Sequence, residues 1–291
     1  QDIASNGNWL LTRDDLFRRL MVKGAGSAKE QDMSWLDNTS LPFISDDGTL
    51  LAFDNEAADA GVNYATMLRK TDGSAAVKLG DGSIRAFSHD MRWILSVIWS
   101  PTAQLVLHPT GAGESRRVDK GELESYVAAA FHPDGKRIVV CGNERGHASR
   151  CYVRPLGDGP LRAITPEGYD HAQISPDGRE MYAGSTSGGF RMFSLDGGAP
   201  RTVAGLAASD QVVRWSPDGA ALWVRPDDEM PVRLERLELT TGRRTPLMTI
   251  TPASHSGLLH VEELSLAADP RAYAFLTEEQ LSHVFVVQGM R

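Results

Sequence analysis

The sequence predicts an all-β chain folded as a β-propeller of four-stranded antiparallel blades. Three observations predict it: a short turn phrase recurs along the whole chain, its copies lie 41 to 51 residues apart, and the same run of strands follows each copy. Short strands recurring with a period of about 40 to 45 residues are how propeller blades appear in sequence.

FHPDGKRIVV, at 131–140, carries the phrase in full. Phe131 ends an apolar run, Pro133 sets φ for the first corner of a turn, Asp134 can bond nearby amides, and Gly135 supplies the corner that other residues resist. Ile138, Val139 and Val140 then resume as β-branched strand formers, so the stretch reads as a hairpin. The phrase recurs in FISDDGTLLAF (43–53), FSHDMRWILSV (87–97), ISPDGREMYAG (174–184) and WSPDGAALWVR (215–225), with weaker copies in IASNGNWLLT (3–12) and LAADPRAYAF (266–275). The turn positions are Gly7, Gly48, Met91, Gly135, Gly178, Gly219 and Pro270; Met91 departs from glycine, and Asn6 replaces the aspartate of the first copy. Because the phrase serves every unit, its aspartate is read as capping its own turn rather than binding a ligand.

A second strand follows each turn, at 9–11, 50–53, 93–97, 138–141, 181–183, 222–224 and 273–276. Third strands fall near 16–22, 64–68, 104–107, 150–154, 190–195, 233–239 and 283–287. Glycine turns in KTDGSAAVKL, PTGAGESRRV, PLGDGPLRAI, SLDGGAPRTV and LTTGRRTPLM close the third strand onto a fourth. TRDDLFRRLMVKG, at 12–24, has some helical spacing but sits where a hairpin between second and third strands belongs, and is read as strand. Seven phrases favour seven blades, starting near residues 3, 43, 87, 131, 174, 215 and 264 of a single domain spanning 1–291. The last unit stops after its third strand, so a six-bladed alternative stands beside this reading: a strand from residues 17 to 36 completes the last blade.

Composition narrows the partners. A formal net charge of −8 argues against nucleic acid, which is held by clustered Lys and Arg. No apolar run approaches the roughly 20 residues that cross a bilayer as a helix. Cys141 and Cys151 lie near the end of one strand and the start of the next, and a disulfide and a pair of buried thiols both remain open.

Catalytic motifs are absent from the sequence. GSTSG at 184–188 has Thr186 where a nucleophilic serine would stand, and the eight histidines form no H-E-x-x-H, so neither a metal nor a cofactor is expected. Propellers bind at a rim of the central channel, and here the rim loops are polar and differ from blade to blade. Trp35, Asp54, Trp99, Tyr126, Asn143, Glu144, His147, Tyr169, Asp170 and His171 are the candidate ligand-binding residues, with Asp37, Asp227 and Asp228 also on these loops. Tyr169, Asp170 and His171 place an aromatic face, a charge and a titratable group side by side.

The repeats resemble the TolB-like and WD40-like propeller repeats of bacteria. A second resemblance runs through LLTRDD, DMSWLD, NYATMLRKTDGSAAVKLGDGS, HPTGAGESRRV, ITPEG, RWSPDGAALWV, LELTTGRR and LSHVFVVQGMR, which in that order look like the C-terminal propeller region of a family of acidobacterial serine/threonine protein kinases. That likeness implies a non-catalytic sensor region with a protein, peptide or glycan ligand at one rim, extracytoplasmic or periplasmic where the kinase is membrane-anchored. The chain itself has no glycine-rich nucleotide loop, no V-A-I-K, no H-R-D and no D-F-G. A free-standing envelope scaffold of TolB type, or a propeller hydrolase or lyase, is the alternative.

Overall fold

The computed structural model describes residues 2–3, 9–35, 38–99, 102–118, 121–226, 229–252 and 257–287. The chain opens with β1 (Asp2–Ile3), β2 (Trp9–Lys23) and β3 (Gln31–Asp32). Blade 1 holds β4 (Thr39–Ile44), β5 (Leu50–Asn55), β6 (Ala65–Lys70) and β7 (Val77–Asp81); blade 2 holds β8 (Ser83–Phe87), β9 (Trp93–Ile98), β10 (Gln104–Pro109) and β11 (Arg116–Val118). Blade 3 comprises β12 (Leu123–Phe131), β13 (Arg137–Glu144), β14 (Arg150–Pro155) and β15 (Arg162–Ala163). In blade 4, β16 (Tyr169–Ile174), β17 (Glu180–Ser185) and β18 (Phe190–Ser194) are joined by a single bridge between Met192 and Arg201 in place of a fourth strand. Blade 5 has β19 (Gln211–Trp215), β20 (Ala221–Arg225), β21 (Val232–Glu238) and β22 (Arg244–Ile250). Last come β23 (Leu258–Leu266) and β24 (Tyr273–Val287), to which β2 and β3 are added as blade 6. The innermost strands β4, β8, β12, β16, β19 and β23 touch in that cyclic order, β23 returning to β4.

The blades therefore number six, which corrects the favoured count of seven and matches the alternative. The reason lies in two segments without Gly or Pro, 9–23 and 273–287. Nothing in either turns the chain, so the second and third strands expected within each form one continuous strand of 15 residues. These two run antiparallel along their whole length, from Trp9 opposite Val287 to Lys23 opposite Tyr273. The inner half of β2 becomes the third strand of the last blade and β3 its fourth; β1 pairs only with the outer end of β2 and founds no blade. The strand reading of 12–24 stands, while Asn6 and Gly7 lie outside the described residues.

Alternation explains the packing. Successive side chains of a strand point to opposite faces, and a blade has a neighbour on each face. In β5, Leu51 and Phe53 pack toward blade 6 with Leu20, Val22 and Leu276, while Ala52 packs toward blade 2 with Ile84 and Ile94. One apolar cluster of this kind fills each of the six spaces between blades. Cys141 and Cys151, directly opposite on β13 and β14, are joined by a disulfide within the cluster between blades 3 and 4.

The turn phrase is architecture, as its repetition implied. In blade 4, Ser175 Oγ donates to Asp177 Oδ1 (2.6 Å), Asp177 Oδ1 accepts the Arg179 amide (3.0 Å), and Ser175 Oγ accepts the Glu180 amide (3.0 Å). Ser45–Asp47, Ser88–Asp90 and Ser216–Asp218 repeat this arrangement. Met91 adopts the left-handed conformation (φ 56°) although it is not glycine, which is how blade 2 keeps its turn. His132 replaces the serine in blade 3 and reaches across to blade 4, its Nε2 lying 2.9 Å from the Gly178 carbonyl oxygen. Gly178 has φ 73°, and a Cβ there would come within 2.5 Å of the His132 ring. A left-handed conformation costs an L-residue roughly 1–2 kcal/mol before any clash is counted. Gly178→Ala is thus expected to destabilise the protein by about 2–4 kcal/mol, read as a lowered urea midpoint; an unchanged midpoint would show that the blade 3–blade 4 seam yields freely.

Candidate functional site

Each innermost strand carries a bulge, a place where its register with the second strand slips. A bulge re-aims side chains, and these point residues of all six blades into the channel. The result is a cavity of about 970 Å³ along the propeller axis. Its waist is apolar, lined by Ala86, Ala129, Ala172 and Val212 among others. The end bearing the turn phrases is ringed by Pro133, Pro176 and Pro217 and clamped by Arg214, which donates to the Leu266 carbonyl (2.7 Å) and to Asp46 (3.0 Å).

The opposite end concentrates charge. Arg85, at the β8 bulge, donates from one terminal nitrogen to Ser83 Oγ (2.9 Å) and to the Ile84 carbonyl (2.7 Å), while its buried Nε has no partner among the described residues. The guanidinium lies 5.1 Å from the centre of the Trp99 ring, a cation–π distance. Behind it, Asp54 is completely buried and accepts from Ser83 Oγ (2.5 Å) and the Ile84 amide (2.8 Å). Burial pushes the Asp54 carboxyl up to about 7, against those hydrogen bonds and the Arg85 charge. Burial also lowers the pKa of Arg85, an effect opposed by Asp54 and Glu263.

Glu263, at the β23 bulge, completes the mouth. Its carboxylate accepts the Leu41 amide (2.6 Å), tying blade 6 to blade 1 across the channel wall. Both residues hold left-handed backbones, each with φ 47°. Solvent in the channel reaches Glu263, yet the ring encloses it, and that enclosure raises its carboxyl above the usual range, reinforced by the charges of Glu262 and Glu56 and opposed by the Leu41 amide.

The ten predicted residues separate. His171 lines the cavity, its Nδ1 2.8 Å from Asp170. Asp54 and Trp99 both stand beside Arg85, the first acting through its charge and the second through its ring. Tyr126 is buried between blades 2 and 3, Trp35 packs against the blade 6–blade 1 cluster, and half-buried Tyr169 stands edge-on to Phe193 against the blade 3–blade 4 cluster, so these three pack on the fold. Asn143, Glu144 and His147 lie on blade 3 outside the cavity lining, where Glu144 accepts from the Tyr152 hydroxyl (2.8 Å) and His147 pairs with Glu167 (2.8 Å). Asp37, Asp227 and Asp228 lie outside the described residues.

Arg85 and Glu263 escaped the sequence reading, which looked for function in loops. Both stand inside the innermost strands, in SIRAF and VEELSL. A charged residue within the short run before a turn phrase was the available signal, since such a strand faces only other blades and the channel.

No protein-family model matches the chain, and no curated protein matches it. Among solved structures it is similar to a putative TolB from Agrobacterium tumefaciens, with 17% identity, a TM-score of 0.66, and coverage of 91% of this chain and 99% of that one. TolB from Acinetobacter baumannii aligns with 18% identity and a TM-score of 0.60 over 82% of this chain, which spans 66% of that protein's length. An oligogalacturonate lyase from Vibrio parahaemolyticus aligns with 16% identity and a TM-score of 0.56, covering 89% of this chain and 78% of that one. At these identities the likeness is one of fold: the chain is an all-β, six-bladed propeller of the TolB type.

Proposed function

We propose that this chain is a non-catalytic binding propeller that receives an extended, carboxylate-bearing ligand, a peptide in the first instance, through the Arg85 end of its channel. One observation carries the reading: Arg85 lines a cavity of about 970 Å³ beside an exposed aromatic ring, and its buried Nε has no partner among the described residues. An unpaired buried donor is costly unless something else satisfies it, and guanidinium is matched to carboxylate. The apolar waist supplies contact area, and the cavity has the size of a small-ligand site.

The likeness of the sequence motifs to kinase-associated propellers supports a sensor or interaction role within a larger signalling protein, and the Cys141–Cys151 disulfide supports an oxidising, extracytoplasmic setting. A second reading, an envelope scaffold, is supported by the exposed apolar residues Leu16, Val284, Phe285 and Val286 on the ribbon that β2 and β24 extend beyond blade 6.

Fluorescence anisotropy with a labelled random hexapeptide pool bearing free C-terminal carboxylates tests the first reading. Saturable binding is expected, weakened at least tenfold by Arg85→Met and weakened likewise when the pool is amidated. Equal binding by Arg85→Met, or saturable turnover of the peptides, would overturn it.

A further inference from the structure

We propose that His260, Glu262 and Glu278 form a binding site for a first-row divalent metal ion, in the cleft between blades 6 and 1 beside the channel mouth. The three come together through strand pairing: His260 lies directly opposite Glu278 across β23 and β24, and Glu262 follows two residues later on the same face. That face is the one from which Leu20 and Leu276 pack against blade 1.

Geometry comes first. His260 Nε2 is 2.8 Å from Glu262 Oε1 and 3.2 Å from Glu278 Oε2, and the three ligand atoms all lie within 4.8 Å of one another. Metal bonds of about 2.0–2.2 Å place neighbouring donors roughly 3.0–3.5 Å apart in tetrahedral or octahedral coordination. The two distances from His260 already stand near that spacing, and the residues lie on a strand pair inside a sheet rather than on loops, so little ordering is required on binding.

Proton counting points the same way. The ring nitrogen carries at most one hydrogen, yet two carboxylates converge on it. A cation between the three groups takes one lone pair from each at once. Charge agrees: Glu262 has Glu263 within electrostatic reach, and Arg18 lies 3.8 Å from its carboxylate, while Arg85 acts on Glu263 from the channel side.

One imidazole nitrogen and two carboxylate oxygens suit zinc or manganese, rather than calcium with its six to eight oxygens. Three protein ligands leave coordination positions for water or for a ligand at the mouth. No metal was expected from the sequence, where no spacing announces the site: Glu278 joins His260 and Glu262 from the neighbouring strand.

Manganese titration of chelator-treated protein, following free Mn²⁺ by electron paramagnetic resonance, tests the site. One ion per chain is expected, displaced by Zn²⁺, with affinity falling at least tenfold in His260→Ala and in the isosteric Glu262→Gln; Glu114→Gln, elsewhere on the surface, should bind as the parent does. Mn²⁺ should raise the melting temperature of the parent and not that of His260→Ala. Glu262→Gln keeps the test decisive if His260→Ala does not fold. No binding at millimolar Mn²⁺, or equal affinity in Glu262→Gln, would overturn the proposal.

Discussion

A chain lacking residues 1–24 is expected not to fold cooperatively. In a seven-bladed ring those residues would belong to an end unit; in the six-bladed ring they hold the ring shut. β2 contributes a 15-residue ladder to β24, and its Leu20 and Val22 are completely buried among Leu51, Phe53 and Leu276. Burying side chains of that size is worth about 1.5–3 kcal/mol each, and the pairing along β24 is lost with them. A domain with net stability of about 5–15 kcal/mol does not survive that loss. The graded version is Leu20→Ala, expected to cost about 2–5 kcal/mol, beside Leu16→Ala, which removes a side chain 61% exposed on the same strand and should cost under about 0.5 kcal/mol. Urea unfolding followed by circular dichroism distinguishes them. A truncated chain melting like the parent would mean that blade 6 closes some other way.

The second large effect is expected at Asp54. Its carboxyl titrates near 7 in the folded protein and near 4 in the unfolded chain, so between those values the folded state holds a proton that the unfolded state has released. Stability from this group therefore declines as pH rises from about 4 to 7 and is level outside that window, at about 1.4 kcal/mol per pH unit, on the order of 4 kcal/mol in all. Asp54→Asn removes the titration and keeps the hydrogen bonds: the amide oxygen accepts the Ile84 amide, and the Ser83 hydroxyl reverses to accept from the new NH2. Relative to the parent, this variant should gain stability steadily across that window in urea titrations at pH 4.5, 6 and 8. A constant difference would show that Asp54 titrates as an ordinary carboxylate. Asp54→Ala should be destabilising at every pH, because it leaves the Ser83 hydroxyl and the Ile84 amide buried without their acceptor.

How much of the site was legible follows from where its parts lie. Asp54 and Trp99 end second strands, where a polar or aromatic residue interrupts an apolar run, and that interruption was visible. Tyr126 and Tyr169 gave the same signal, yet the first is core and the second packs half-buried against it, because an aromatic beside a loop has no way of announcing which face of its strand it occupies. Arg85 and Glu263 carried only a weak signal, a charge in the run before a turn phrase, because inside a strand a charge also reads as an exposed position until a bulge is known to turn it into a channel.

The turn phrases, the order of the strands and the all-β class were determined by the sequence itself, because each hairpin is local: Pro, Asp and Gly act on their own turn, and alternation acts within one strand. The number of blades, the disulfide, the charged mouth and the His260 cluster were decided only by the tertiary structure. Each depends on residues distant in the chain or placed by pairing register, above all Trp9 against Val287, and no local propensity encodes such a pairing; closure of the ring selects it.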